Sequence, residues 1–585
     1  MDSYNIVFEP DGKSLEIRAG ATVFEAALRA GIIINASCGG RGTCGKCKVT
    51  LGHDGSEVLA CQCKVHRDLK ISIPEASRFF DQKILQHGVE RDITISPMIR
   101  KKLIEIKSAH PAGLLENLQD PSLEFTDQAL ADLKSFEAAL PATATAVLFG
   151  DKVVAVEAGN TCLEIYGVAV DIGTTTVVAK LLDLIDGRVL DTAATGNPQR
   201  AFGDDVISRI SYGETEEGLA QEQKVIIECI NKLIDQLCRS SNVSASRIYE
   251  LAAAGNTTMS HIFLALPVKQ LGQAPYHAYS VDAYDKPIEQ MGIKIARGGN
   301  VHTIENIAGF VGSDTVACAV AVAMDQQTEM TLCVDIGTNG EIILGTKDKM
   351  YSASCAAGPA FEGARIGQGS RAVDGAIEKV SIKNGDIEIE TIGSKPPCTI
   401  CGSGLIDAVA VIVDQGIVDY TGRFVSPDDL KGKIPDALAS RVVDIGNHQF
   451  GFILAHQKHG MDKPVILTQR DIRESQLSKA AIRAGIKLLM KKFGIEDDGI
   501  SQILLAGAFG NYIRRESARR IGLLPNLPLE RIHFVGNAAS SGAQMVLLSS
   551  DCRKLAGHLA REINYIEIAH ELEFQTTFAD CMMFE

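Results

Sequence analysis

Five of the fifteen cysteines lie close together, between Cys38 and Cys63. The pattern is Cys38-x5-Cys44-x2-Cys47, and Cys61 follows after a gap of strand length. A [2Fe–2S] cluster needs four thiolates, and the glycine-rich loop between the first three cysteines lets backbone N–H groups point at the sulfurs. The segment therefore predicts a [2Fe–2S] cluster whose ligands are Cys38, Cys44, Cys47 and Cys61.

Two other interpretations of this segment are open. Structural zinc sites favour paired Cys-x2-Cys knuckles, whereas this segment has one such knuckle, and Cys61-Gln-Cys63 has the wrong spacing for a second. A set of unligated thiols is the other. Cys63 could also replace Cys61 as the fourth ligand.

The residues around these cysteines predict a small mixed domain over residues 1–75. Two strand-like runs flank a turn at Asp11-Gly12, and Thr22 and Glu25 have the spacing of a capping box before a helix that Gly31 would end. Two strands, a helix, a cysteine loop and further strands indicate a β-grasp layout. The segment resembles plant-type and adrenodoxin-like ferredoxins, and this resemblance places the last ligand at Cys61.

A second kind of chemistry is indicated by two copies of Val-Asp-Ile-Gly-Thr, at Asp171 and at Asp335. Each copy follows an apolar strand and runs into another strand, so neither is a P-loop, which runs into a helix. A hairpin turn rich in glycine and threonine can place N–H groups and hydroxyls around phosphate oxygens. The aspartate beside it can hold hydrated Mg²⁺ or orient an attacking water. One such hairpin in each of two related subdomains would clamp a nucleotide.

Further glycine-rich turns follow in an order that resembles the acetate and sugar kinase, Hsc70 and actin superfamily. The resemblance implies a two-lobed, actin-like (ribonuclease H-like) ATPase domain that binds ATP with Mg²⁺. Its phosphate-1, phosphate-2, Cys-Gly-Ser-Gly and adenosine turns would contain the nucleotide-binding residues Gly173, Thr174, Thr175, Thr176, Gly337, Thr338, Asn339, Gly340, Gly402, Ser403, Gly404, Gly507, Ala508 and Gly510. Asp171, Asp335 and Glu341 are the candidate catalytic carboxylates.

The chain is therefore expected to be a multidomain α/β protein of 585 residues. Its expected parts are a β-grasp ferredoxin domain at 1–75, a linker at 76–100, a small α+β middle domain at 101–163 and the ATPase domain at 164–585. The second ATPase subdomain would start near residue 330.

The fusion of a [2Fe–2S] ferredoxin domain with an actin-like ATPase resembles the ATP-dependent reductive activators of corrinoid proteins. Supporting stretches are Gly196–Ile210, Ser354–Gly369, Ile400–Asp407 and Leu467–Gly485. The resemblance implies ATP-dependent, one-electron reduction of cob(II)alamin to cob(I)alamin. It also implies a corrinoid protein of a methyltransferase system as partner and an external low-potential electron donor.

Two other functions stay open at this point. One is an electron-injecting activator of the 2-hydroxyacyl-CoA dehydratase type, although such activators carry a [4Fe–4S] cluster at a dimer interface. The other is a small-molecule kinase that uses the cluster as a redox sensor.

The composition limits the kinds of partner and the cellular compartment that we expect. A net charge of −15 argues against nucleic acid as a partner. No apolar stretch is long enough to span a membrane, and the first residues do not form a signal peptide. A cytoplasmic location is therefore expected. The sequence does not give the oligomeric state, although members of this ATPase superfamily often form homodimers.

Overall fold

The computed structural model describes residues 3–10, 12–30, 32, 34, 42, 47–52, 54–74, 91–105, 110, 118, 120, 122–136, 141–446, 449–457, 463–507 and 513–584. Six β-sheets organise these residues. Two six-stranded sheets form the lobes of the largest part of the chain, and a five-stranded and a four-stranded sheet precede them.

The five-stranded N-terminal sheet has the strand order β2-β1-β5-β3-β4, with β1 and β5 parallel at its centre. Its elements are β1 (Ser3–Glu9), β2 (Lys13–Arg18), α1 (Val23–Arg29), β3 (Lys48–Leu51), β4 (Glu57–Leu59) and β5 (Leu69–Ser72). The predicted capping box starts α1, because Thr22 N–H donates to Glu25 and Glu25 N–H donates to the Thr22 hydroxyl. The β1–β2 hairpin is confirmed, whereas Asp11 and Gly31 lie outside the described residues.

The four-stranded sheet, in the order β6-β8-β9-β7, has one helix packed on it. Its elements are β6 (Ile99–Glu105), β7 (Glu124–Phe125), α2 (Asp127–Ser135), β8 (Thr143–Phe149) and β9 (Lys152–Ala158). Buried Lys101 joins this sheet to the next part of the chain: its ammonium group contacts Glu157 at 2.7 Å and lies over the ring of Tyr249. Glu157 in turn pairs with Arg247 at 2.5 Å.

The first lobe is built on the sheet β12-β11-β10-β13-β15-β14. Its strands are β10 (Tyr166–Ile172), β11 (Thr176–Asp183), β12 (Val189–Gly196), β13 (Ile248–Gly255), β14 (Tyr284–Pro287) and β15 (Asn300–Thr303). Its helices are α3 (Val206–Tyr212), α4 (Glu216–Ser241), α5 (Thr257–Phe263), α6 (Ile288–Met291) and α7 (Ser313–Ala321).

The second lobe repeats the core of the first. Its sheet runs β26-β25-β16-β17-β18-β27, from β16 (Thr331–Ile336), β17 (Gly340–Thr346), β18 (Lys349–Cys355), β25 (Gln502–Ala506), β26 (Ile532–Gly536) and β27 (Ile563–Tyr565). In each lobe the strand carrying the Asp-Ile-Gly-Thr motif pairs antiparallel with the next strand and parallel with a later one. This confirms that the internal repeat is a structural repeat.

Two three-stranded sheets and eight helices complete the second lobe as described. The small sheets are β19 (Ala376–Lys383), β20 (Asp386–Thr391) and β21 (Thr399–Ile400), and β22 (Val442–Asp444), β23 (Phe450–Ala455) and β24 (Val465–Thr468). The helices are α8 (Gly402–Asp414), α9 (Pro427–Leu430), α10 (Asp436–Ala439), α11 (Gln469–Phe493), α12 (Arg515–Arg520), α13 (Ala538–Leu548), α14 (Ser550–Glu562) and α15 (Phe574–Met582). Within the described part of the chain, no helix is both long and apolar enough to cross a membrane.

Candidate functional site: a nucleotide cavity and a thiol pair

The two Asp-Ile-Gly-Thr hairpins face one cavity of about 190 Å³ between the lobes. Each turn is closed by one short backbone bond: Gly173 N–H donates to Thr176 O, and Gly337 N–H donates to Asn339 O, both at 2.9 Å. The structure brings these predicted residues to the cavity wall: Asp171, Gly173, Thr174, Thr175, Thr176, Asp335, Gly337, Thr338, Asn339, Glu341, Ser403 and Gly507.

The tips of the hairpins meet at Glu362. The hydroxyl of Thr175 donates to one carboxylate oxygen of Glu362 at 2.9 Å, and the hydroxyl of Thr338 donates to the other. Burial raises the pKa of Glu362, and both hydroxyl bonds oppose that rise. One side chain therefore connects the two Asp-Ile-Gly-Thr turns.

Two side chains donate hydrogen bonds to the backbone carbonyls of the first hairpin turn. Asn197 donates its side-chain N–H to Gly173 O at 2.8 Å, and its backbone N–H donates to Thr175 O at 2.8 Å. Fully buried Arg209 donates to the remaining carbonyl, Thr174 O. Because the backbone carbonyls of the turn have these hydrogen-bond partners, its threonine hydroxyls can point into the cavity. Asn197 and Arg209 both belong to Gly196–Ile210, the stretch that sequence analysis singled out without a role.

Two asparagines at strand–helix junctions support the same cavity. Asn256 follows β13 and donates to the Thr174 hydroxyl at 2.8 Å. Asn537 follows β26 and donates to Asp171 Oδ2 at 3.0 Å. Each also caps the helix that begins after it. Neither asparagine is among the site residues predicted from the sequence, although both stand in a Gly-Asn pair at the end of a strand, which is a detectable signal.

Carboxylates dominate the electrostatics of the cavity. Burial raises the pKa of Asp171 to about 6, and the bond from Asn537 opposes this shift. Burial and the neighbouring carboxylates raise the pKa of Asp314 and of Asp335 to about 7, and that of Glu341 well above its usual value. A site that concentrates so much negative charge is suited to a cation brought in with a phosphate ligand.

Asp314 is the carboxylate that sequence analysis missed. It lies in the first turn of α7, far in sequence from both hairpins, and it lines the same cavity. Nothing in its local sequence distinguishes it from an ordinary acidic residue at a helix start. Only the packing of α7 between the lobes brings it to Asp171 and Asp335.

The residues present fit a hydrated magnesium ion better than a fully protein-bound metal. Among the described residues, no group of three or more metal-ligating side chains is already assembled. Mg²⁺ usually keeps several waters and takes one or two carboxylates plus substrate phosphates. The backbone at Gly507 also lies very close to the Asp335 carboxylate, because a Cβ on Gly507 would lie 2.4 Å from Asp335 Oδ1.

Some predicted nucleotide-binding residues have a different placement. Gly340, Gly402 and Gly404 are absent from the cavity wall, although Ser403 between the last two is present. Gly340 and Gly404 allow close packing, since a Cβ would lie 2.7 Å from Ile482 and 2.2 Å from Ile377 O, respectively. Ala508 and Gly510 lie outside the described residues.

A second cavity of about 280 Å³ shares two wall residues, Glu378 and Ser403, with the first. Its wall also contains Ile513, Arg514 and Phe534. The apolar side chains and the guanidinium group are suited to a flat aromatic ring, because a ring can stack on both. Charged side chains also line this second cavity, since Glu378, Lys379, Arg514, Arg515 and Glu516 belong to its wall.

The thiol site is described in part. Cys47 and Cys61 are both buried, and their sulfur atoms lie 3.3 Å apart. Cys63 is partly buried, and burial raises the pKa of its thiol. The Cys47–Cys61 pair fits ligation of one metal centre, since two thiolates on a tetrahedral ion must be neighbours. The predicted ligands Cys38 and Cys44 lie outside the described residues.

Comparison with known protein families assigns three parts of the chain. Residues 7–66 match the model of a 2Fe-2S iron-sulfur cluster binding domain. Residues 166–327 match the RACo middle region, and residues 329–585 match the C-terminal domain of RACo, the ASKHA domain.

Two of the similar proteins cover nearly the whole chain. It is 34% identical over 593 aligned positions, 98% of each chain, to the corrinoid activation enzyme RamQ of Eubacterium limosum. It is 26% identical to the [Co(II) methylated amine-specific corrinoid protein] reductase of Methanosarcina barkeri, over 66% of this chain and 70% of that one. A solved structure of a reductive activator for corrinoid, iron-sulfur protein superposes with a TM-score of 0.74 at 32% identity, covering 99% of this chain and 98% of the other. The multidomain architecture expected from the sequence is confirmed.

Proposed function

The chain belongs to the family of reductive activators of corrinoid proteins, and we propose that it uses ATP to drive the one-electron reduction of a corrinoid protein from Co(II) to Co(I). One observation carries the proposal. A domain of the 2Fe-2S type and a two-lobed cavity with the wall chemistry of a nucleotide site occur in the same polypeptide.

ATP is required on energetic grounds. Reduction of Co(II) in a corrinoid protein is uphill for a donor at ferredoxin potential, and each 100 mV of shortfall costs about 2.3 kcal/mol for one electron. Coupling between two ligands on one protein supplies about 1–3 kcal/mol. The activator must therefore bind the Co(II) and Co(I) forms of its partner with different affinities. Equal affinity for both forms would not shift the equilibrium between them.

The cavity residues have distinct proposed roles. The hydroxyls of Thr174, Thr175 and Thr338 and the turn N–H groups contact the phosphates. Asp171 and Asp335 would hold a hydrated Mg²⁺ ion, which would neutralise charge on the phosphates. Asp171, Asp335 and Glu341 are the candidates for the base that orients the attacking water.

We further propose Cys38, Cys44, Cys47 and Cys61 as the four ligands of the [2Fe–2S] cluster. When bound, the cluster supplies the single electron. The buried Cys47–Cys61 pair supports Cys61 over Cys63 as the fourth ligand. The proposed boundaries are 1–75 for the ferredoxin domain, 76–100 for the linker, 101–163 for the small middle domain and 164–585 for the ATPase. The last two residues of the proposed linker, Ile99 and Arg100, already belong to β6.

The partner proposed is the corrinoid protein of a methyltransferase system, with an external low-potential donor that reloads the activator. Homodimers are the proposed assembly and the cytoplasm is the proposed compartment. Nucleic acid is not proposed as a partner, since the chain carries a net charge of −15.

The test mixes the full-length protein, a low-potential reductant and a candidate corrinoid protein in its Co(II) state, with and without Mg–ATP. Absorbance of the cobalt centre should show Co(I) forming much faster with ATP. The Asp335→Asn variant should slow the ATP-dependent part by about 10²-fold or more, the size expected for loss of a catalytic acid–base group. An identical rate with and without ATP for every corrinoid protein tested would refute the proposal. ATP-dependent phosphorylation of a small molecule would favour the kinase alternative.

A further inference from the structure

Residues 91–98, here called the anchor segment, lie against the lobes. Their side chains alternate: Ile93 and Ile95 are partly buried, whereas Asp92 and Thr94 are exposed. Ile93 and Ile95 pack on the apolar core to which α7 and α13 contribute. In the chain, this segment stands between the N-terminal sheet and β6.

Backbone and charge contacts fix the anchor segment at two points. Ser96 N–H donates to Leu548 O, and Ser550 N–H donates to Ser96 O, both at 2.9 Å, so Ser96 is bonded to the junction of α13 and α14. Arg91 donates to Asp325 at 2.8 Å and to Val320 O at 3.4 Å, at the end of α7. The anchor therefore contacts the C-terminal ends of both helices.

The N-terminal ends of the same two helices lie at the nucleotide cavity. Asp314 in the first turn of α7 lines the cavity, and Asn537, which caps α13, donates to Asp171. With 9 and 11 residues, the helices extend for about 14 and 17 Å. They touch closely, because a Cβ on Gly542 would lie 1.9 Å from Ala317 O. Two packed helices thus connect the cavity to the anchor.

We propose that the anchor segment transmits the nucleotide state of the cavity to the N-terminal domain, and that Arg91 is a positioning residue of this coupling. The inference rests on the proposed function. A packed helix moves as a rigid element, so a displacement of Asp314 or Asn537 toward a nucleotide moves the far helix end as well. Arg91 and Ser96 pass that movement to the chain that leads to the electron-donating domain.

The test compares wild type with Arg91→Ala and Asp325→Asn in the full-length protein. Lys383→Ala is the matched control, since it removes an exposed ion pair with Glu388 on the β19–β20 hairpin. Two rates are measured: ATP hydrolysis, and Co(II) reduction of the corrinoid partner with and without ATP. Both anchor variants should keep wild-type KM for ATP, whereas the stimulation of Co(II) reduction by ATP should fall by about fivefold or more. The control should keep it.

Two further measurements distinguish a loss of coupling from a general loss of folding in the variants. The double variant Arg91→Asp with Asp325→Arg restores opposite charges and should recover stimulation. Hydrogen exchange on wild type should show that Mg–ATP changes protection at the amides of Ser96 and Ser550. Wild-type stimulation by ATP that persists unchanged in both variants, or unchanged exchange at both amides, overturns the inference. Absence of stimulation in wild type itself would refute the proposed function, and the inference with it.

Discussion

The hydroxyl oxygens of Thr175 and Thr338 lie 3.2 Å apart, although 163 residues separate them in sequence. Both hydroxyls also donate to Glu362, so the two hairpins share one buried carboxylate at their tips. The two copies of the sequence repeat therefore contact each other directly in the folded protein. A phosphate chain that uses these hydroxyls must share them with Glu362 or take them from it.

Replacing Glu362 by Gln should strengthen ATP binding. The amide has the size of the carboxylate but lacks the negative charge that would face the phosphates. Removal of about 1.4 kcal/mol of repulsion corresponds to about tenfold lower Kd. Titration calorimetry with Mg–ATP measures this, with Glu390→Gln on the exposed β20 strand as control. Unchanged or weaker binding in Glu362→Gln would show that the carboxylate does not oppose the phosphates.

The cavity carboxylates should make the nucleotide-free protein less stable as pH rises. The pKa values of Asp171, Asp314 and Asp335 are raised, to about 6, 7 and 7, so these groups bind protons in the folded protein that they lose in the unfolded chain. Their contribution to stability is full below about pH 4 and is lost as pH rises to about 7. Urea unfolding between pH 5 and 8 measures the slope.

Asp314→Asn provides the matched variant for this pH dependence. Because the amide does not ionise, the variant should unfold at a higher urea concentration than wild type at pH 8, and the difference between the two proteins should be smaller at pH 5. The same slope in both proteins would mean that Asp314 does not titrate in this range. Saturating Mg–ATP should also reduce the slope in wild type, since a bound cation favours the charged carboxylates.

The sequence predicts the parts of this site that depend on local chain geometry. The strand–turn–strand form of both hairpins follows from short apolar runs around Gly173 and Gly337, and the capping box at Thr22 follows from spacing alone. Asp314 and Arg209 could not be predicted in the same way. Their roles arise because α7 and α3 pack against a hairpin distant in sequence, and no local pattern encodes that convergence.

The order of the glycine-rich turns predicts which segments meet, but not which atoms line the cavity. Gly402 and Gly404 stand in the predicted turn, yet only Ser403 between them reaches the wall. The reason is the close approach of β19, since a Cβ on Gly404 would lie 2.2 Å from Ile377 O. Glycine at that position therefore allows the helix to pack closely against the strand. From the sequence alone, such a glycine cannot be distinguished from one that binds phosphate.

Arg209→Met should weaken ATP binding without any direct contact to ATP. The change removes the donor to Thr174 O and to Gly203 O, and a buried carbonyl left without its partner costs about 1–3 kcal/mol. Part of that cost should appear as lower stability, and part as about tenfold higher KM for ATP, because the phosphate-1 turn is no longer held. Urea unfolding and the steady-state rate of ATP hydrolysis measure the two effects.

Arg209→Lys tests whether geometry or charge matters at this position. Lysine keeps the charge but lacks the planar fork that donates to two carbonyls at once. It should recover less than half of the lost ATP affinity. A lysine variant equal to wild type in KM would show that charge alone is sufficient. Lys383→Met, which removes a surface cation, should leave both measurements unchanged.

A substitution at Cys61 should lower the iron content, whereas a substitution at Cys63 should leave it unchanged. Cys61 is buried against Cys47 with the sulfurs 3.3 Å apart, whereas Cys63 is two residues further along and only partly buried. Cys61→Ala should therefore abolish or strongly reduce the visible absorbance and the EPR signal of the reduced cluster, with iron falling well below two atoms per chain. Cys63→Ala should keep both near wild type. Loss of iron in Cys63→Ala but not in Cys61→Ala would reassign the fourth ligand. Zinc in place of iron in the purified wild-type protein would exclude the cluster.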